Sequence, residues 1–172
     1  MTVQDLSDKE FHSYYGRYIF KLNNDLELRN GFEIGNQSVA HFFSSIPSEK
    51  HLVRYESDKW TIKQVLQHLI DTERVFMYRC FRIARRDSTP LAGFDQNIYM
   101  DPANANEKSM DELLVEFQTG RLQSITMLSS FSDEDLAFVG DANGSEMSAR
   151  AAAFTVIGHD IWHMEIIKSK YL

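Results

Sequence analysis

The sequence predicts an all-α fold, a four-helix bundle formed by one domain that spans residues 1–172. Four segments of roughly 20 residues carry apolar side chains at the three- and four-residue spacing of a helix. The connections between them are rich in Pro, Gly, Asn and Asp, and no segment shows a convincing strand pattern. With 43% hydrophobic and 25% charged residues, the chain is expected to be a soluble globular protein. It is long enough to bury a full core without a metal, so we expect any bound metal to serve function.

The charge pattern and the cysteine content narrow the classes of partner. The net charge is −7, and the Lys and Arg residues are scattered, which argues against a nucleic-acid partner. Cys80 is the only cysteine, so an internal disulfide is excluded, as suits a reducing compartment. The N-terminus lacks a basic, apolar leader and no run approaches about 18 apolar residues. We therefore expect a cytoplasmic protein with no membrane association.

The first long helix is predicted from about Asp25 to Ser45. Residues 1–24 mix aromatic and charged side chains without a clear period. Asn23 and Asn24 then supply a turn or cap signal before the helix, and Pro47 ends it. The sequence from 48 to 59 is a polar connection.

The second helix has the strongest pattern and is predicted from Trp60-Thr61 to about Arg86. Its seam positions recur by three and four, as in a helix packed nearly parallel or antiparallel to its neighbours. One of these positions is acidic: the seam is Ile62, Leu66, Leu69, Glu73, Phe76, Cys80 and Ile83.

Two further helices follow a long loop. The segment from Asp87 to Glu107 is predicted as a loop of the length typical of a functional lid. A capping-box pattern at Ser109 to Glu112 opens a third helix that runs to about Ser130. After a polar connection from 133 to 146, Ser148 can cap the last helix, which continues to the C-terminus.

Two histidines of the last helix, His159 and His163, are spaced to share one ligand. They are four residues apart, so they lie one turn apart on the same face, within an apolar stripe. His68 lies at the edge of the apolar arc of the second helix, nearly in line with Thr72 and Arg79. If His68 faces the pair, then His68, His159 and His163 form a three-point site inside the bundle.

Three imidazoles predict one divalent transition metal, with Zn or Ni favoured. Neutral imidazole is a good ligand for these ions, and three protein nitrogens leave a coordination position for water or substrate. Such an ion activates a water or a thiol. The opposing interpretation is that the HxxxH pair only packs in the core, and the triple depends on whether His68 faces the pair. His12, His41 and His51 have no comparable setting and are interpreted as surface or packing residues.

Two carboxylates near the histidines are not predicted to be ligands. Glu73 lies about 140° around the helix from His68. We interpret Glu73 as a partly buried carboxylate that pairs with an Arg or a hydroxyl of another helix, in preference to a general base. Asp160 lies about 100° away from the face that carries His159. No catalytic residue is assigned.

Several segments resemble the DinB-like superfamily of metal-binding bundles. WTIKQVLQHLIDTER (60–74) looks like its signature W-x-I-x-x-V-L-x-H-L-x-D-x-E-R, and GHDIWH (158–163) resembles its second signature, G-H-x-x-x-H. The arginine-rich end of the second helix (79–86), TPLAGFD (89–95) and the Tyr14-Tyr15 region add to the likeness, which covers most of the chain. The resemblance implies that His68, His159 and His163 are the metal ligands.

The same resemblance implies an up-down-down-up bundle with a long crossover between the second and third helices. It also implies a class of function. Members include enzymes that transfer low-molecular-weight thiols such as bacillithiol, mycothiol or glutathione, a mycothiol-dependent isomerase, and many proteins described only as metal-dependent hydrolases. No feature of this sequence selects one thiol.

The sequence leaves two classes of function open. The first is a metalloenzyme that acts on a small molecule, a thiol S-transferase or a metal-dependent hydrolase. The loop from 87 to 107 would then shape its pocket, with Phe94, Tyr99 and Met100 as apolar walls and Asp95 and Asn97 as polar contacts, unless these loop residues only cover the surface. The second is a non-catalytic metal-binding or stress-response protein.

Assembly is a separate open question. Ile157, Ile161 and Met164 form an apolar face of the last helix opposite the histidines. This face is predicted to be either bundle core or the seam of a homodimer.

Overall fold

Four long helices form the bundle, as predicted. The computed structural model describes residues 1–172. Its elements are α1 (Gly16–Ile19), α2 (Leu28–Ser44), α3 (Ile62–Ala84), α4 (Asn97–Ala103), α5 (Met110–Ser129), α6 (Asp133–Ala137), β1 (Val139–Asp141), β2 (Glu146–Ser148) and α7 (Ala149–Lys170). The long helices are α2, α3, α5 and α7. None of the helices has the length and apolarity of a membrane span.

Contacts between side chains define the directions of the four helices. Lys108 reaches Gln67 near the starts of α5 and α3, and Arg121 reaches Glu73 further along both, so these two helices are parallel. Tyr171, which follows α7, donates a hydrogen bond to the carbonyl of Trp60 just before α3, so α7 runs antiparallel to α3.

The remaining helix, α2, is parallel to α7. Gly31 packs against Ile157, and Gly35 lies near Asp160. The order is therefore up-down-down-up. Because α3 and α5 are parallel, the connection between them must return along the whole bundle, which accounts for its length.

Polar side chains begin the long helices as the sequence suggests. The hydroxyl of Thr61 accepts a hydrogen bond from the backbone of Gln64, and that of Ser109 accepts one from Glu112. Ser148 caps α7 in the same way. The start of α2 was predicted too early, at Asp25. Glu27 is extended, pairs with Thr2 and caps the helix, which therefore begins at Leu28.

Two connections contain structure that the sequence patterns do not predict. The segment from 87 to 107 holds the short helix α4. The segment from 133 to 146 holds α6 and most of a hairpin, in which β1 pairs antiparallel with β2. Asn143 and Gly144 form its turn with positive φ values of 61° and 74°, as a two-residue type I′ turn requires. Three-residue strands are too short to display alternation.

A polar layer divides the buried core into two apolar clusters. One cluster packs around Phe76 and Phe154, and the other packs around Leu66 and Phe117. Between them lie six buried polar residues of α3, α5 and α7: His68, Glu73, Arg121, Ser124, His159 and Asp160. Buried polar groups require partners, and these residues find them in one another.

The second apolar face of α7 belongs to the bundle core. Ile157 is 4% exposed within the first cluster, and Ile161 packs against that cluster. Met164 packs against the second cluster. Of the two interpretations of this face, bundle core therefore accounts for these contacts, and a homodimer stays a prediction.

Candidate metal centre

The three predicted histidines lie close together, His68 and His159 in the polar layer and the less buried His163 beside them. One nitrogen from each of His68, His159 and His163 lies within 4.8 Å of the other two. The Nε2 atoms of His68 and His159 are 3.0 Å apart. The ring of His163 lies 4.5 Å from that of His159 and 4.9 Å from that of His68, measured between centroids. His68 is thus buried and faces the pair, which was the condition for a three-point site.

Neighbouring side chains hold the imidazoles in place. Thr72, one turn after His68, has its hydroxyl 3.4 Å from Nδ1 of His68, which leaves Nε2 directed at the other two rings. The indole of Trp60 packs on His68, with centroids 4.7 Å apart. The ring of Tyr18 meets His159 edge-on at 5.1 Å. These contacts restrict the rings and shield them from water.

Burial keeps the three imidazoles neutral at physiological pH. It lowers the pKa of His68 to about 3, with a further contribution from His163. It lowers the pKa of His163 to about 4, although this residue keeps some exposed surface. For His159, burial and the two neighbouring histidines lower the pKa well below its usual value. Neutral imidazole is the form that ligates metals.

The chemistry of this set of donors fits a divalent transition metal. Three nitrogens on rigid helices converge on one point, and no carboxylate lies among them. Imidazole donors suit Zn, Cu, Fe and Ni, whereas Mg and Ca favour oxygen ligands. Three protein ligands also leave at least one coordination position open.

The carboxylates near the histidines belong to a separate network centred on Arg121. Glu73 accepts hydrogen bonds from Nε and Nη2 of Arg121, at 2.9–3.0 Å, and from the hydroxyl of Ser124 at 2.7 Å. Nη2 of Arg121 also donates to Asp160 at 2.7 Å. The interpretation of Glu73 as paired with an Arg or a hydroxyl is confirmed, since it has both partners.

Burial and neighbouring charges shift the pKa values of two members of this network. Burial raises the pKa of Asp160 to about 6, against the opposing charge of Arg121. Burial alone would lower the pKa of Arg121, but Asp160 and Glu73 outweigh it and raise that pKa. The guanidinium therefore stays charged and joins α3, α5 and α7.

A cavity of about 450 Å³ opens beside the histidines. His68 and His159 form part of its wall, and the rest comes from residues 12–18, α3, Thr155 of α7, the loop at 93–96 and the β1–β2 turn. The volume suits a small molecule.

Of the two roles left open for the loop residues, a place in the cavity wall holds for Phe94 alone. Phe94 lines it, but Tyr99, Met100, Asp95 and Asn97 do not. Tyr99 stacks on the ring of Phe94, and Met100 is buried. Asp95 accepts hydrogen bonds from Asn97, because α4 turns these two residues toward each other.

Other residues at the cavity were missed or set aside. His12 was interpreted as a surface or packing residue, yet it lines the cavity, and its Nδ1 accepts a hydrogen bond from the backbone of Tyr14. Tyr18 lies in a segment without helical periodicity, which hid its role. For Arg79 a signal was present, since it lies in line with His68 and Thr72 on one face of α3. His41 and His51 lie outside this site.

The sequence of this chain matches a known protein family over most of its length. Residues 32–167, about four-fifths of the chain, match the model of the DinB superfamily. This chain belongs to the DinB superfamily. No curated protein sequence matches it.

A solved structure gives the same fold. YfiT from Bacillus subtilis is described as a probable metal-dependent hydrolase with an unusual four-helix bundle topology. It is similar with a TM-score of 0.74 at 12% sequence identity, over 86% of this chain and 89% of the YfiT chain. At that identity, the likeness shows the fold of this DinB superfamily member.

Proposed function

We propose that this protein is a metal-dependent enzyme that binds one divalent transition metal through His68, His159 and His163. The observation that carries the proposal is the convergence of three neutral imidazoles within 4.8 Å at the wall of a small-molecule cavity. Zn and Ni are the ions we favour, because both accept imidazole ligands.

The residues of the chain have distinct tasks in this proposal. His68 and His159 face the cavity, so a substrate there lies beside the ligand set. Thr72 orients His68, while Trp60 packs on the ring of His68 and Tyr18 packs on the ring of His159. A divalent ion in such a site supplies Lewis acidity, which lowers the pKa of a water or a thiol.

Two reactions are compatible with that chemistry. Activated water would hydrolyse a bond such as an amide or an ester, and YfiT is described as a probable metal-dependent hydrolase. An activated thiol would attack an electrophile and transfer the thiol group, as the DinB-like signatures imply. Both hypotheses need only the histidine set and a small-molecule substrate.

Metal analysis of purified protein tests the ligand set. We expect about one equivalent of Zn or Ni after loading and dialysis, and loss of that metal in His68→Ala and His163→Ala, since two imidazoles hold an ion more weakly. His41→Ala is the matched control, because His41 is exposed and distant from the cluster. Metal retained equally in His68→Ala would contradict the proposal.

Activity assays separate the enzyme from the non-catalytic alternative. The metal-loaded protein is offered amides, esters, and thiols with an electrophile, with His159→Ala beside it. Turnover that disappears in the variant supports the enzyme. Stoichiometric metal without turnover supports the metal-binding alternative, for which sedimentation would test the predicted homodimer.

A further inference from the structure

Arg79 is a buried cation with no anionic partner. Only 2% of its surface is exposed. Its Nη2 donates a hydrogen bond to the carbonyl oxygen of Ala92 at 2.9 Å, whereas Nε and Nη1 have no hydrogen-bond partner and no contact with solvent. No carboxylate lies within ion-pair distance of it. The rings of Phe76 and Phe94 pack on its guanidinium.

Burial of the Arg79 guanidinium without an anionic partner is energetically unfavourable. The other buried arginine, Arg121, has such partners. Arg121 is equally buried, but Glu73 and Asp160 neutralise it. A buried charge without a partner costs several kcal/mol by the usual order of magnitude. Carboxylates are not scarce in this chain, which has 25 Asp and Glu against 18 Lys and Arg. The missing partner of Arg79 is therefore expected to come from a ligand.

The cavity beside the histidines supplies the place for that ligand. Arg79 belongs to its wall, and none of the other residues of the wall is Asp, Glu, Lys or Arg. A single positive charge among aromatic, hydroxyl and amide groups matches a monoanion. The planar guanidinium with free N–H donors is the geometry that binds carboxylates.

The spacing of His68 and Arg79 along α3 sets an upper limit on the length of such a ligand. Arg79 follows His68 by eleven residues, so both lie on one face of the helix with Cα atoms about 16 Å apart. The guanidinium lies 5.0 Å from the ring of Phe76, one turn earlier, so the side chain reaches back toward the histidines. The distance to be spanned is therefore well under 16 Å.

We infer that Arg79 binds the carboxylate of a small-molecule ligand whose other end lies at His68 and His159. This inference rests on the proposed function and specifies its substrate class, a monocarboxylate of extended shape. Ala92 and Phe94 cover the guanidinium from the loop, so the carboxylate reaches Nε and Nη1 when this part of the loop moves.

Matched thiol ligands test the inference on the Zn-loaded protein. Calorimetry would compare 6-mercaptohexanoate with 6-mercapto-1-hexanol, which differ in the carboxylate alone. We expect the wild type to prefer the carboxylate roughly ten- to a hundredfold, the range of a charged hydrogen bond. Arg79→Met should abolish this preference and leave the affinity for the alcohol and the zinc content unchanged. Arg79→Lys, which keeps the charge, should restore part of it.

A control variant and a second comparison on the metal-free protein complete the experiment. Arg85→Met removes an exposed arginine that directly follows α3 and packs on Phe131, and we expect it to keep the preference. If no metal binds, the proposed ligand set fails, but hexanoate against 1-hexanol on the metal-free protein still tests Arg79. A carboxylate preference there, lost in Arg79→Met, supports the inference. Equal affinities in the wild type, or a preference unchanged in Arg79→Met, would overturn it.

Discussion

The residues in and beside the polar layer form two separate sets of contacts. The histidines form one set, whereas Glu73, Arg121, Ser124 and Asp160 saturate one another. Because Glu73 and His68 lie on the same helix, the angle between them follows from the helical periodicity, and the sequence predicts that they lie on different faces of α3. The angles could not identify Arg121 as its partner, since the rotation of α5 relative to α3 depends on packing across the bundle. A residue's face was predictable from the sequence, whereas its partner on another helix was not.

Removal of Glu73 should destabilise the fold without removing a metal ligand. In Glu73→Ala the buried Arg121 keeps only Asp160 as an anionic partner, so we expect a loss of about 3–5 kcal/mol in the free energy of unfolding. Urea denaturation measures it, and metal content should stay at the wild-type level. Glu116→Ala is the control, because its partly exposed pairs with Lys108 and Arg74 contribute about 1 kcal/mol at most. Loss of metal with unchanged stability would identify Glu73 as a ligand instead.

Helices meet at the site through one very close approach. A Cβ atom at Gly158 of α7 would overlap the backbone carbonyl of Tyr18 in α1, so only glycine permits this contact. The contact in turn brings the ring of Tyr18 against His159.

The boundaries of the long helices were predictable because capping side chains and periodicity agree. The short elements α1, α4, α6, β1 and β2 were not, because their form depends on tertiary contacts such as the pairing of Leu91 with Ala142.

Glycine-to-alanine substitutions in two helices should have opposite effects. Gly158→Ala should force α1 away from α7 and lower the free energy of unfolding by about 1–3 kcal/mol. Gly120→Ala on α5 should stabilise by about 0.5–1 kcal/mol, since a Cβ there meets no atom within 4 Å and alanine favours the helix. Thermal unfolding of both variants measures the difference. A neutral Gly158→Ala would show that α1 adjusts freely.

The whole molecule is joined by contacts between distant parts of the chain. Arg150, at the start of α7, donates two hydrogen bonds to Glu10, at 2.6 and 2.8 Å, across 140 residues. The number of long helices and their lengths were predictable because each is encoded locally. The bundle order was implied only by the family signatures, and long-range pairs like this one carry no local signal.

This pair should make stability depend on acidity in a defined direction. Burial alone would raise the pKa of Glu10, but hydrogen bonds from Arg150 and the Ser7 backbone outweigh it, and the pKa lies below its usual 4.5. The unfolded chain therefore binds a proton first as pH falls, so the contribution is present above about pH 4.5 and is lost below it. Glu10→Gln should lower Tm by a few degrees at pH 7 but by less at pH 3. Exposed Glu33→Gln is the control, and an equal loss at both pH values would contradict the assignment.

Long helices and loops both contribute residues to the wall of the cavity, and the two differ in how well they tolerate changes of sequence. His68, His159 and Arg79 stand on long helices, whereas Gly93, Phe94 and Asn143 come from two connections that touch at Leu91 and Ala142. Substitutions and insertions are better tolerated in such connections than in a packed helix. New ligand preferences can therefore arise, in nature or in a mutant library, by diversifying residues 91–96 and 141–145 while the helices that carry His68, His159 and Arg79 stay as they are.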